Sequence, residues 1–286
     1  MRPRLEKYRG DFIPWRGTLA ALWAVFAAAT LAVGQDAELT VASTTSVEDS
    51  GLFAYLLPKF ESRTGMKVRV FSRASSVVLS TASVGGADVV IVNDSAALDR
   101  FVDSGHTARR QPLMYNDFII AGPTSDPAKV AGLRDAAVAL RDIARLRAAF
   151  LSRGDESGTH AAEQRVWRFA GVEPKARAGD WYRQTGLGMG ATVEMALRIG
   201  AYVLTDRATW LAHRQGGDMR ILVEGDPRMF DQYEIGLVSA ATHPHMNAAA
   251  AAAFVDWITS AEGQDAIGAF RIDGQPAFVP NAKLLN

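Results

Sequence analysis

ADVVIV, residues 87–92, is a short and nearly continuous apolar run. A strand with one face in water alternates apolar and polar residues, whereas a strand covered on both faces does not. The run therefore predicts a buried parallel strand, and its neighbours supply the covering helices. Upstream, Leu39-Thr40-Val41-Ala42 reads as a strand. Leu52 to Phe60 carries Leu52, Phe53, Leu56, Leu57 and Phe60 at helical spacing. Gly65 closes that helix, and Lys67-Val68-Arg69-Val70 reads as the next strand. A short helix over Val77–Ser83 precedes the run, and a helix over Leu98–Ser104, capped by Gly105, follows it. This βαβαβα rhythm defines an α/β fold with a parallel sheet.

The rhythm continues. Phe118-Ile119-Ile120-Ala121 is a strand closed by Gly122-Pro123, and helices are expected over Ala136–Ala149 and Ala161–Ala170. Phe150–Ser152, Tyr202–Leu204, Ile221–Val223 and Ile235–Val238 are further strands, and Ala248–Trp257 is an alanine-rich helix. No Gly/Ser linker separates two domains, so any crossings are short and strand-like. Tyr115–Ile120 and Tyr233–Val238 are the candidates. Two crossings make the first lobe discontinuous, residues 35–117 plus 236–286, with 118–235 as the second. They leave a cleft with a hinge at its floor, where small ligands commonly bind.

The chain of 286 residues contains 31 Lys+Arg, 31 Asp+Glu and no cysteine. It can form no disulfide, thiolate metal site, cysteine nucleophile or lipid-anchored cysteine. A formal charge of zero argues against a nucleic-acid partner held by bulk positive charge. The zero has two parts. Residues 1–34 hold five basic and two acidic residues, net +3, which leaves the remainder at −3. The basic start precedes an apolar run, Leu19–Val33, shorter than the ~20 residues that span a bilayer. Ala32-Val33-Gly34 resembles a signal-peptidase site, so residues 1–34 are expected to be a signal peptide cleaved before Gln35.

Four turns that open helices are rich in hydroxyls and glycine: Ser43–Leu52, Ser75-Ser76, Ser152–His160 and Gly186–Thr192. In the first, Ser46 and Asp49 have the spacing of a capping box. A helix start presents unpaired N–H groups and the positive end of the macrodipole. At the carboxyl ends of parallel strands it faces a ligand crevice. Such turns make an anion site of neutral donors, to which Arg153 adds a fixed charge and a planar donor fork. Each turn taken alone also reads as an ordinary cap or tight loop.

Enzyme signatures are absent: there is no GxSxG elbow, no GxxxxGK[ST] loop and no HExxH helix. Asp155, Ser157 and His160 crowd into one turn, a poor geometry for a catalytic relay. His243-Pro244-His245 suits a helix start better than a metal site. Trp167 and Phe169 read as packing residues, and Arg153-Gly154-Asp155 is a coincidental adhesion tripeptide. No catalytic residue, cofactor or resident metal is expected.

In this order the segments resemble the substrate-binding proteins of tungstate ABC importers, a family of type II periplasmic binding proteins. The similarity is carried by Asp49–Leu52 with the preceding hydroxyl run, Tyr115–Phe118 with Gly122-Pro123, and Ser152–His160 with Glu163. Gly188–Thr192, Tyr202–Thr209, Trp257–Ser260 and Glu262–Gln264 complete it. Ser43 stands where the family usually has Thr, Ala74-Ser75-Ser76 where it has Gly-Thr-Gly, and Asn93-Asp94-Ser95 where it has His-Asp-Pro. The resemblance implies two lobes, each a mainly parallel sheet flanked by helices, joined by two crossovers. It implies a periplasmic protein that delivers tungstate, or the related molybdate, to an ABC permease in the inner membrane. The anion contacts would fall on Thr44, Thr45, Ser75, Ser76, Arg153, Ser157, Gly158 and Thr159. Phosphate or sulfate as ligand, or an anion sensor of the same fold, are the alternatives.

Overall fold

A computed structural model describes residues 38–174 and 180–282. The signal peptide read in residues 1–34, and its cleavage site before Gln35, lie outside the described residues. The chain begins with β1 (Glu38–Thr44), α1 (Thr45–Asp49), α2 (Leu52–Thr64), β2 (Lys67–Arg73), α3 (Ser75–Ser83), β3 (Val89–Val92) and α4 (Ser95–Asp103). A seventeen-residue strand, β4 (Thr107–Pro123), follows. Next come α5 (Ala136–Arg145), β5 (Phe150–Ser152), α6 (Gly158–Ala170), β6 (Tyr182–Gln184), α7 (Met189–Ile199), β7 (Tyr202–Asp206), α8 (Arg207–His213) and β8 (Met219–Val223). After a 3-10 turn, β9 (Phe230–Val238), α9 (Ala248–Thr259), α10 (Ala261–Ala269) and the two-residue strands β10 (Arg271–Ile272), β11 (Gln275–Pro276) and β12 (Val279–Pro280) complete it.

The main sheet has the order β2-β1-β3-β9-β4-β7-β5-β6. Its flanks are parallel: β1 pairs β2 and β3 on one side, and β5 pairs β6 and β7 on the other. Its centre is antiparallel, with β9 between β3 and β4 and with β4 against β7 and β8. The run that opened the sequence reading is β3, and both its faces are covered. Val89 and Ile91 enter one apolar cluster with Leu39, Val41, Phe60 and Phe254, while Val90 and Val92 enter another with Ala42, Val78 and Leu98. The second part of β4 does the same, with Phe118 and Ile120 in one cluster and Ile119 and Ala121 in another. Each Val, Leu, Ile or Phe among them contributes roughly 1.5–3 kcal/mol by leaving water.

β4 changes partners midway. Asn116 and Asp117 lie opposite Asp231 and Phe230 of β9, and Phe118 lies opposite Asp206 of β7. Its first part carries Arg109, Arg110, Gln111, Asn116 and Asp117, which hide the strand from an apolar-run reading. Other features differ from expectation, and α3, α4 and α6 each start two or three residues early. α5 stops at Arg145 rather than Ala149, because Arg147 takes a left-handed φ of 51°. α7 starts at Met189, inside what the sequence reads as a turn. The expected capping box does not form: Ser46 lies within α1, and Asp49, its last residue, reaches across to Gly190 instead. Gly65 ends α2 as expected, at φ 73°, with its N–H donating to the Glu61 carbonyl at 2.8 Å.

Candidate anion-binding site

Strand register brings the helix starts together. β1 and β2 run in register to Thr44 opposite Arg73, so α1 and α3 open side by side at the carboxyl end of that part of the sheet. Ser152 ends β5 opposite Gln184, the last residue of β6, so α6 and α7 open at the carboxyl ends of those strands. The two pairs of starts meet. The Gly158 N–H donates to Ser75 Oγ at 3.3 Å, and the Met189 N–H donates to Thr45 Oγ1 at 3.3 Å. All four turns predicted from the sequence therefore converge.

The turns are not all ordinary caps. Ser157 does cap α6, accepting from the His160 N–H at 3.2 Å. Thr44, Ala74 and Gly188, which precede α1, α3 and α7, cap nothing with a side chain. Thr44 Oγ1 and Thr159 Oγ1 are buried and have no hydrogen-bond partner among the described residues. Buried polar atoms of this kind are rare in folded chains and mark a place where a partner belongs.

Arg153 is only 2% exposed. Its Nε and Nη2 donate to Asp155 Oδ2 at 3.1 and 2.5 Å, and Asp155 Oδ1 accepts from the Ser157 N–H at 3.3 Å. The tripeptide Arg153-Gly154-Asp155 is thus a buried ion pair and not a displayed adhesion loop. A guanidinium has five N–H donors, so this pairing leaves Arg153 with donors to spare. Gly154, at φ 64°, lies against Gln184, where a Cβ would sit 2.6 Å from the Gln184 Cβ.

The remaining predicted residues divide. Thr44, Ser75, Ser157, Gly158 and Thr159 are buried at the convergence, and Thr45 is half-buried there. Ser76 is half-buried at the edge of the convergence: with Asp94, Arg100, Glu156 and His160 it lines a cavity of ≈600 Å³ beside α3 and α4. The fourth turn forms a clasp whose N–H groups are spent on α1, Met189 on Thr45 and Gly190 on Asp49 Oδ2 at 2.8 Å. His213 of α8 adds to the clasp, with Nε2 3.1 Å from the Asp49 carbonyl oxygen. Asp155, Ser157 and His160 form no relay, since Asp155 holds Arg153 and Ser157 Oγ accepts from the His160 backbone. His243 and His245 meet the carbonyls of Ser83 and Gly85, and Asn247 caps α9. Trp167 is a core residue as read, but Phe169 is 57% exposed beneath the Arg228 guanidinium.

A buried polar cluster adjoins the site, and the sequence reading missed it. Asp206 Oδ1 accepts from the Thr209 N–H at 2.9 Å and from Asn116 Nδ2 at 3.4 Å. Asp231 Oδ1 accepts from Asn93 Nδ2 at 2.9 Å. Burial raises the Asp206 carboxyl above the usual carboxylate range. Burial, with Asp206 nearby, raises Asp231 well above it, and burial beside Asp231 raises the Tyr233 phenol. Asn93, Asn116 and Asp206 stand in segments that carry or depart from the family pattern, but nothing in the linear chain joins them to Asp231.

A family model described as the PBP superfamily domain matches residues 29–262, so fold and site place the chain among the binding proteins of that superfamily. The tungstate-binding protein TupA of Peptoclostridium acidaminophilum is 39% identical over 248 residues, covering 85% of this chain and 86% of the relative. Among solved structures, the tungstate ABC transporter protein of Geobacter sulfurreducens is 40% identical, with a TM-score of 0.75, over 82% of this chain and 98% of that one. The tungstate-binding protein TupA of Desulfovibrio alaskensis G20 is 39% identical, with a TM-score of 0.71, over 86% of this chain and 99% of that one. The chain belongs to the TupA family of ABC-transporter binding proteins. These relatives are transport proteins and not enzymes, and membership of the family supports a periplasmic location.

Proposed function

We propose that this chain captures tungstate, or the related molybdate dianion, between two lobes and delivers it to an ABC permease in the inner membrane. The observation that carries the reading is the convergence of Thr44, Ser75 and the Ser157–Thr159 turn around two buried, unpartnered hydroxyls, with the guanidinium of Arg153 in the same turn. Thr44, Thr45, Ser75, Arg153, Ser157, Gly158 and Thr159 form the proposed anion shell, with Ser76 at its margin. The relatives named for tungstate, at 39–40% identity, give the same ligand.

A fully deprotonated dianion needs donors only, whereas protonated phosphate needs an acceptor. The nearby carboxylates are engaged or turned away: Asp155 holds Arg153, Asp49 holds Gly190, and Glu156 is exposed. That balance favours tungstate over phosphate. The strand pairing supports lobe boundaries at Asp117–Phe118 and near Phe230, somewhat before the crossing read at Tyr233–Val238, because all of β9 pairs with β3 and the first part of β4. Residues 1–34 act in this reading as a signal peptide removed on export. The anion retained by the purified protein, identified by elemental mass spectrometry, tests the assignment. Stoichiometric tungsten or molybdenum is expected, and phosphorus alone would reject it.

A further inference from the structure

Asp206 and Asp231 flank β4 where it leaves one part of the sheet for the other. Asp231 lies across from Asn116 and Asp206 lies across from Phe118, two residues on. Both carboxylates are buried, and neither forms an ion pair among the described residues. Asp206 Oδ2, Asp231 Oδ2, Asn116 Oδ1, Ser46 Oγ and Tyr233 OH are all buried and meet no strict hydrogen-bond geometry among the described residues, although the Ser46 hydroxyl faces Asp206 and the Tyr233 phenol faces Asp231. Burial with no cation at hand disfavours a second ionised carboxylate here.

We infer that Asp206 and Asp231 hold one proton between them at this crossing point, and that anion capture in the adjoining site is linked to that proton. This rests on the oxyanion reading proposed above. The proton belongs on Asp231: Asp206 accepts from the Thr209 N–H and Asn116 and also faces the Thr209 and Ser46 hydroxyls, whereas Asp231 has only Asn93 and the Tyr233 phenol. Asn93 provides the link. Its Nδ2 is bonded to Asp231, and its Oδ1 lies so close to Gly158 that a Cβ there would be 2.2 Å away. Gly158 in turn donates to Ser75. An ionised Asp231 would therefore set a second buried negative charge directly behind the donors that must face a dianion.

The groups around Asp231 offer no compensating cation at contact distance. From β4 comes Asp117, which Arg207 of α8 already holds through two bonds of 2.6 Å. α4 contributes Asp94 and Asp99 and α6 contributes the exposed Arg165, across a cavity of ≈400 Å³ that Asp231 also lines. That cavity gives the proton a path to water. A pair whose folded-state proton is held above the ordinary carboxylate range stabilises the fold fully at acid pH and loses that contribution as pH rises through the folded value. Anion affinity follows the same direction, weakening with rising pH by at most about tenfold per unit for one linked proton.

Asp231→Asn mimics the neutral acid without changing its volume, and Asp206→Asn is the second variant. Thermal unfolding without anion, and calorimetric titration with sodium tungstate in two buffers of different ionisation enthalpy, are run from pH 6 to 9. In the native chain, Tm and affinity are expected to fall with pH and protons to be taken up on binding. In Asp231→Asn both profiles flatten and the uptake disappears. Parallel profiles in the native chain and both variants would overturn the inference. So would a rise in Tm with sodium or calcium over choline that Asp231→Asn abolishes, since a cation would then occupy the cluster. Failure of tungstate to bind at any pH would reject the oxyanion reading, while the unfolding profiles would still decide the fate of the proton.

Discussion

The backbone N–H of Gly158 donates to the hydroxyl of Ser75 at 3.3 Å, across 83 residues of sequence. The bond joins the first turn of α6 to the first turn of α3, and both first turns belong to the proposed anion shell. Asn93 leaves no room at this point for a side chain on Gly158, since a Cβ there would lie 2.2 Å from Asn93 Oδ1.

Gly158→Ala tests this contact. The added Cβ would lie 2.2 Å from Asn93 Oδ1 and 2.8 Å from the Asn93 carbonyl oxygen, so Asn93 or the start of α6 must shift. Overpacking of this kind costs about 1–3 kcal/mol in chemical denaturation. Tungstate affinity of the folded protein is expected to drop at least about tenfold, since 1.4 kcal/mol is a factor of ten. Unaltered affinity would remove this contact from the site.

Arg153→Ala deletes the fixed charge of the shell. Losing a hydrogen bond to a charged group costs roughly 1.5–3 kcal/mol, or about 10–150-fold in affinity. Arg153→Lys is expected to recover only part of this, because a point charge cannot both hold Asp155 through a planar fork and serve the anion. Calorimetric titration of both variants checks the order native, then Lys, then Ala.

Asp49→Ala tests the clasp. Asp49 accepts from the Gly190 N–H at 2.8 Å and places a negative charge at the start of α7, an arrangement of about 1 kcal/mol. Affinity is expected to fall severalfold, a smaller loss than in Arg153→Ala. A loss equal to that of Arg153→Ala would make Asp49 part of the shell itself.

Trp167→Ala acts on the scaffold. Trp167 packs against Phe150, Trp181 and Tyr182, and its Nε1 donates to Glu163 Oε1 at 2.9 Å, which also accepts from the Tyr182 hydroxyl at 2.9 Å. Burial and the Glu163 charge together raise the Tyr182 phenol, so it remains a donor throughout the working pH range. Removing the indole should cost about 3–5 kcal/mol in denaturant unfolding. Tungstate affinity of the folded fraction should be unchanged, since none of these side chains is in the proposed shell.

The sequence disclosed what rests on local pattern. β3 and the second part of β4 are apolar on both faces and were legible as buried strands, whereas α6 starts at Gly158 with Ser157 as its cap, three residues before the expected start at Ala161. The first part of β4 was not legible, because Arg109, Arg110 and Asp117 interrupt it, and the length of β9 was hidden for the same reason, with Asp231 and Glu234 inside it. The donor turns were found because hydroxyl and glycine content is visible in a linear chain. Which turns face each other was not, since only strand register decides that. Asp49 was misread as a local cap because its partner, Gly190, is 141 residues away. The Asp206–Asp231 pair stayed invisible for the same reason: each residue alone is an ordinary acid, and only the passage of β4 between them makes them neighbours.

The account stands or falls on which oxyanion the chain prefers. Calorimetric titration of residues 35–286, stripped of bound anion, with tungstate, molybdate, sulfate and phosphate at one pH and ionic strength measures this directly. A donor-only shell with a single buried guanidinium should bind tungstate and molybdate at least about a hundredfold more tightly than phosphate, a difference of roughly 2.7 kcal/mol, with sulfate as the control dianion that also needs donors only. Phosphate binding as tightly as tungstate would contradict it, because protonated phosphate needs an acceptor that the shell is held not to offer.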